Sequence, residues 1–377
     1  MPGVLSFLIA VVYWPGLVSA AVAPRWAVVI VGCSLALALG KAPLMRAPSL
    51  GHLFGALFLL YALLSTAWSL SPLDSIGSEA QLLLGLFPAF VLGARTKDMT
   101  PVWVGLALGG WVLLGSYFVV DTDFSRQMYG HGGVFLNRDF AGAFAAAAAV
   151  GALYGLSRYP RLVQLGLFLG PLAALLYSQC VGAVLALVAA VVVAEGAKLP
   201  RIRRVWYWLA ALGLVGVTVT AALVLIPEKA TNVMIRFGKW DYVTANLSVF
   251  GRGANTMGAA FPFISSDNDL IDLLWDFGIG SVPLIALVIY ALWANRAAAE
   301  RWVLLVLIFD GFSSTPLRLP ATAYIAALVL GRLCADGVCV LDLGFERRTN
   351  YPTHLQRLSS FATRCLQRVG CGRLSLR

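Results

Sequence analysis

The stretch SSDNDLIDLLWDFGIG (Ser265–Gly280) runs directly into SVPLIALVIYALW (Ser281–Trp293). The second half is an apolar run of the kind a bilayer-crossing helix requires, because lipid leaves every backbone polar group to be satisfied within the helix itself. The first half carries four acids, Asp267, Asp269, Asp272 and Asp276. On a helix, Asp269, Asp272 and Asp276 are spaced i, i+3, i+7 and share one face. A carboxylate at the bilayer centre costs about 2.5–3.5 kcal/mol, so three on a lipid-facing stripe would cost roughly 8–10 kcal/mol, a sum comparable with the whole stability of a domain. These acids must face water, cations or a polar cavity. For Asp272 and Asp276 the competing account is the favourable field at a helix N-terminus.

Working outward, such apolar runs recur along the whole chain. Its 377 residues are 60% hydrophobic and only 12% charged, with a mean hydropathy of +0.83, a composition that excludes an ordinary soluble multidomain protein. Runs near the roughly 20 residues needed to cross a bilayer fall at 4–23, 26–40, 52–70, 78–94, 101–120, 139–157, 162–177, 180–195, 205–226, 278–294, 302–316 and 319–335. The expected fold class is all-α, a polytopic membrane protein of about 12 transmembrane helices with two functional loops on the non-cytoplasmic face. Residues 1–340 form the transmembrane domain, with those loops at 121–138 and 227–277. Residues 341–377 form a basic cytoplasmic tail. The first span lacks a charged leader and is expected to be retained in the membrane.

Lys and Arg set the expected orientation. Alternate loops hold Lys41, Arg46, Arg95, Lys97, Arg158, Arg161, Lys198, Arg201, Arg203, Arg204, Arg296 and Arg301, and the basic stretch continues from Arg332 to Arg377. Together these are 20 of the 28 basic residues. Both termini are therefore expected in the cytoplasm. The net charge of +10 fits anionic lipid at that leaflet, and the sequence carries no nucleic-acid-binding pattern. The six cysteines form no C-x-x-C pair, and three histidines make a zinc site an unattractive reading.

The remaining cations sit where the positive-inside rule depletes them. Arg126 and Arg138 belong to DTDFSRQMYGHGGVFLNRDFAG (Asp121–Gly142), and Arg236, Lys239 and Arg252 to MIRFGKWDYVTANLSVFGRGANTM (Met234–Met257). Long loops rich in Tyr, Trp, Phe and Asn are ordered and functional more often than not, and arginine grips phosphate with a planar fork. For Arg138, between Asn137 and Asp139, a local helix cap competes with a binding role.

These residues resemble motifs of the bacterial O-antigen ligase and polysaccharide polymerase superfamily. Arg236 and Trp240, followed by Gly251 and Gly253, are similar to its R-x-x-x-W and glycine-rich turn. Asn268, a nine-residue spacer and Gly278 resemble its closing motif. Gly133, Phe135 and Asn137 look like its G-x-F-x-N element, and SQCVGAVLALV (Ser178–Val188) like its S-x-S-R-G-A segment. The chain departs from the ligases at Asp267 in place of histidine, at Val181 in place of arginine and at Ser281 in place of the last glycine. These departures favour a polymerase over a ligase.

The resemblance implies a glycosyltransferase of the bacterial inner membrane. It would polymerise undecaprenyl-diphosphate-linked oligosaccharide repeats into an exopolysaccharide, capsule or O-antigen on the periplasmic face. Its partners would be the bilayer, the lipid-linked saccharide, and a flippase and chain-length regulator. Asp267 or Asp269 would accept the acceptor's proton, and Arg236 would stabilise the leaving diphosphate. Arg252, Arg138, Arg126, Asn137 and Asn268 would assist binding, with Trp240 and Tyr242 packed on sugar faces. No cofactor and no metal are required by this chemistry. Three alternatives stand beside it. The first is ligase-type transfer to a lipid or protein acceptor. The second is a divalent cation held by the Asp267-Asn268-Asp269 triplet. The third is a transporter or flippase built around Asp310, whose simplest partner in sequence is Arg318.

Overall fold

The computed structural model describes residues 1–12, 23–40, 49–120, 131–135, 137–200, 202–208, 210, 213, 227–257, 267–294, 298–315, 317 and 319–335. Among these residues the protein is all-helical, without a β-strand. The helices are α1 (Pro2–Val11), α2 (Ala23–Ala38), α3 (Leu50–Ser65), α4 (Pro72–Arg95), α5 (Thr100–Ser116), α6 (Arg138–Val150), α7 (Arg161–Ser178), α8 (Val181–Lys198), α9 (Pro227–Ala245), α10 (Asp269–Ala294), α11 (Ala299–Gly311) and α12 (Pro320–Ala335). A turn of 3-10 helix extends α3 to Trp68, and a π-helical turn, Gly151–Gly155, extends α6. Residues 202–208 are also helical.

Five of these helices are long and apolar enough to cross a membrane: Leu50–Trp68, Pro72–Arg95, Arg161–Ser178, Val181–Lys198 and Asp269–Ala294. Shorter apolar helices are found at Pro2–Val11, Arg25–Ala38, Thr100–Ser116 and Pro320–Ala335. Among the described residues the expected apolar runs are largely helical, and five helices, not twelve, reach full crossing length. Most of the expected span at 205–226 and the whole of the 341–377 tail lie outside the described residues.

Two boundaries differ from expectation in a way that matters. The segment 227–277, expected as one long loop, contains the 19-residue helix α9 and the first turns of α10. The expected span at 278–294 begins instead at Asp269, because a short 3-10 turn at Gly278–Ser281 joins Asp269–Phe277 to Val282–Ala294 without ending the helix. The acidic stretch is therefore the first part of a 26-residue helix.

The centre of the bundle is α6 and α12. Every residue from Ala143 to Val150 is inaccessible to solvent, as a helix surrounded by others must be. The Ala and Gly there let α5, α7, α8 and α11 approach closely. At the crossing of α4 with α12, a β-carbon on Gly331 would lie 1.9 Å from the Phe90 carbonyl oxygen, and one on Gly93 1.9 Å from that of Leu328. Only glycine fits at either position. On the outside, Leu53, Leu57, Leu60 and Leu64 form one exposed stripe on α3, while Phe58, Ala62 and Ser65 turn inward. An apolar exterior of this kind suits lipid, not water.

Candidate active site

Five elements meet at one end of the bundle. They are the N-terminal turns of α6, α8 and α10, the turn that follows α11, and the middle of α9. The basic residues Arg95, Lys198, Arg301 and Arg332 lie at the opposite helix ends.

Asn268 starts α10 as an N-cap, its Oδ1 accepting from the backbone N–H of Leu270 at 2.9 Å and of Ile271 at 3.1 Å. Such a cap contributes about 1 kcal/mol. Its Nδ2 donates to the Phe312 carbonyl at 3.1 Å, so the start of α10 is tied to the turn after α11. Asp269 makes a second tie, accepting from the Leu317 N–H at 3.1 Å. Gly311 adjoins this carboxylate: a β-carbon there would come within 3.2 Å of Asp269 Oδ2.

Asp267 precedes the cap with φ of +52°, in the left-handed region that Asp and Asn tolerate better than most residues. This conformation aims its carboxylate at α9. Asp267 Oδ2 lies 3.3 Å from Lys239 Nζ and 4.0 Å from Arg236 Nε. All three side chains are about one-third exposed or less. Arg236 also donates through Nη1 to the Ser313 carbonyl. The two cations, three residues apart, share one face of α9 with Trp240 and Val243. Val243 is fully buried with Met257, Ile271 and Trp275, and Trp240 packs against that cluster.

The turn after α11 is the junction of the site. The Ser313 and Ser314 N–H groups donate to the Asp310 carbonyl at 2.8 and 2.9 Å, and Ser314 Oγ donates to Asp310 Oδ2 at 2.8 Å. Asp310 is fully buried. Its other carboxylate oxygen faces Gly182 in the first turn of α8, where a β-carbon would approach it to 3.3 Å and Ser313 Oγ to 2.2 Å. Next to it, Cys180 Sγ donates to Asp139 Oδ1 at 3.4 Å, and Asp139 pairs with Arg138 at 3.7 Å. Asn137 caps α6 by accepting from the Asp139 N–H at 2.8 Å. Both Asp139 and Arg236 act electrostatically on Asp310.

The expected residues therefore divide. Arg236, Asp267, Asn268 and Asp269 come together, and Arg138 with Asn137 sits at the neighbouring helix start. Arg252 is drawn elsewhere. Its guanidinium stacks 4.6 Å over the Trp275 ring and donates to the Asn246 carbonyl at 2.8 Å, near the far end of the Asp269–Phe277 segment. That position follows from the glycine-rich turn: Gly251 (φ +72°) and Gly278 (φ +52°) interlock so closely that a β-carbon on Gly251 would strike the Asp276 carbonyl at 2.3 Å. Trp240 serves packing, and Tyr242 is exposed on the outer side of α9. Arg126 lies outside the described residues, as does Arg318, the expected partner of Asp310.

Asp272 and Asp276 are both buried, and the macrodipole does not explain Asp276. Its carboxylate accepts from the Asn255 N–H at 3.0 Å and the Thr256 N–H at 3.4 Å, so it organises the turn that follows Gly253. The triplet Asp267-Asn268-Asp269 does not present two carboxylates to one point: Asp267 faces α9 and Asp269 the turn after α11. Among the described residues no group of three or more His, Cys, Asp or Glu is arranged to hold a metal ion.

The residues that the sequence did not single out are Asp139, Cys180, Ser313 and Ser314. The sequence signal closest to them was the acid Asp310 within an apolar run. No protein-family model matches the chain, and no curated protein matches it significantly.

Proposed function

We propose that the protein is a membrane-embedded glycosyltransferase that polymerises undecaprenyl-diphosphate-linked oligosaccharide on the non-cytoplasmic face of a bacterial inner membrane. The observation that carries this reading is the carboxylate of Asp267, about one-third exposed, beside Arg236 and Lys239, with Asp269 two residues on. Transfer to a hydroxyl needs a proton acceptor next to cations that take up the charge of a leaving diphosphate.

In this reading the acceptor hydroxyl oxygen forms a bond to the anomeric carbon as that carbon's bond to the diphosphate oxygen breaks. The bonding pair departs with the diphosphate, and the hydroxyl proton passes to Asp267 or Asp269. Arg236 and Lys239 stabilise the departing charge. Arg236 is held for that role by the Ser313 carbonyl, so little reorganisation is needed when charge develops. The site's place opposite the basic helix ends supports the assignment of face. Transport centred on Asp310 is less well supported, because Asp310 braces the turn that anchors Arg236.

The test uses the purified chain in liposomes with lipid-linked oligosaccharide extracted from a strain lacking the protein. The expected result is a ladder of longer lipid-linked chains with release of free undecaprenyl diphosphate. Saccharide of unchanged length appearing on the opposite side of the bilayer would establish transport instead.

A further inference from the structure

Over residues 234–245, α9 is amphipathic in the wrong sense for a helix surrounded by water. Two of its three charged residues there, Arg236 and Lys239, turn inward to Asp267. Its outer side presents Met234 at 72% exposure, Ile235 at 52% and Phe237 at 54%, with Tyr242 beside them and Asp241 as the one outward charge. The apolar surface continues past the helix into Val249 and Phe250, both more than 60% exposed.

That continuation is fixed to the end of a membrane-length helix. The Phe250 carbonyl accepts from Tyr61 Oη at 3.0 Å and from Trp68 Nε1 at 3.2 Å. Tyr61 and Trp68, themselves in edge contact, stand at the site end of Leu50–Trp68, where Trp and Tyr mark the boundary between hydrocarbon and headgroups. The Leu70 N–H donates to the Arg252 carbonyl at 2.9 Å, and Leu70, Leu73 and Ile76 extend the exposed apolar surface along the start of α4. The apolar side of α9 thus runs on from the protein's lipid-facing belt. At 19 residues α9 is long enough to cross a bilayer, but Glu228, Lys229, Arg236, Lys239 and Asp241 keep it out of the apolar crossing class. A helix of that composition lies on a membrane and does not pass through it.

We infer that α9 and residues 247–250 are a membrane-docking element. Met234, Ile235, Phe237, Val249 and Phe250 seat in the headgroup–acyl boundary of the leaflet on the site's side. The partner is the lipid surface. Docking places Arg236 and Lys239, on the opposite side of the same helix, at headgroup depth. The inference concerns seating alone and stands or falls separately from the transfer reaction.

The test places a nitroxide, by genetic code expansion, at Ile235, Phe237 or Val249 of the full chain in phosphatidylethanolamine–phosphatidylglycerol vesicles. Collision with oxygen, which partitions into lipid, and with a water-soluble nickel chelate is read at each position. A label at Asp98, exposed in the loop between α4 and α5, gives the aqueous reference. Strong oxygen collision with little nickel collision, the reverse of Asp98, is expected at all three. An Asp98-like profile at two of them would overturn the inference by placing this face in water. Low collision with both reagents at two of them would overturn it in favour of cover by another segment of the chain or by a second copy. Because each position is read alone, one poorly tolerated label does not decide the result.

Discussion

Lys239 Nζ stands 3.3 Å from Asp267 Oδ2, and the contact exists because Asp267 adopts a left-handed backbone that few residues accept. Asn and Gly both accept it, which allows the carboxylate to be separated from the backbone. If Asp267 accepts the proton, Asp267→Asn and Asp267→Gly should fold normally and lose about 10²–10⁴-fold in transfer. Asp267→Ala should add a folding defect. Asp269→Asn tests the second candidate in the same assay of polymer yield against protein level. Near-normal polymer from the Asp267→Asn, Asp269→Asn double variant would end the general-base assignment.

Asp276 should behave differently. Its carboxylate satisfies the N–H groups of Asn255 and Thr256, so Asp276→Ala leaves buried donors without an acceptor, a loss of about 1–3 kcal/mol. Asp276→Asn keeps one acceptor and should lose less. Thermal melts in detergent should fall in that order, while turnover per folded molecule falls far less than in Asp267→Asn.

The placement of the site opposite the basic helix ends makes a topological prediction. Alkaline phosphatase fused after Asn246 should be active, and fused after Leu199 inactive. The reverse pattern would put the site in the cytoplasm and remove undecaprenyl-diphosphate-linked saccharide, as presented outside, from consideration.

Asp310 separates transfer from transport. Ser314 donates to its carboxylate, and Ser313 and Ser314 to its carbonyl, an arrangement that a neutral amide reproduces. Under the transfer reading Asp310→Asn keeps the turn and most activity, whereas Asp310→Ala removes the Ser314 Oγ–carboxylate bond and leaves the main-chain carbonyl alone to hold the turn that carries the Arg236 anchor. A transporter that cycles a proton through Asp310 would be inactivated by asparagine, and a vesicle uptake assay on the two variants distinguishes the cases.

The helices were legible in the sequence because lipid imposes one requirement everywhere, an apolar surface with internally bonded backbone. Arg236 and Asp267 were legible as charges where the chain otherwise avoids them. The helical state of 227–245 was hidden because Arg236 and Lys239 turn toward the protein while apolar side chains face outward, the reverse of the pattern that marks a surface helix. The place of Arg252 was hidden for a related reason: a cation that ends over Trp275 looks, in one dimension, like a cation waiting for phosphate. The turn from Asp310 to Ser314 left one local sign, the acid Asp310 in an apolar run, and its role stayed hidden because its partners Gly182, Arg236 and Asn268 come from distant parts of the chain.

Arg236 offers the sharpest test. It lies within 4.0 Å of Asp267 and donates to the Ser313 carbonyl, so its guanidinium spans the two elements that form the site. A departing diphosphate gains charge in the transition state, where a fixed planar donor contributes most. Lysine keeps the charge but cannot hold Ser313 and also face Asp267 and the diphosphate with one compact ammonium. Arg236→Lys should therefore lower kcat by about 10²–10³-fold, the loss seen when one preorganised donor is removed, with protein level unchanged. Arg236→Ala should abolish polymer. If the arginine only pairs with Asp267, lysine restores the pair and activity stays near wild type. Polymer yield and chain length for Arg236→Lys, measured against protein level, choose between these outcomes, and wild-type values would remove Arg236 from the chemistry.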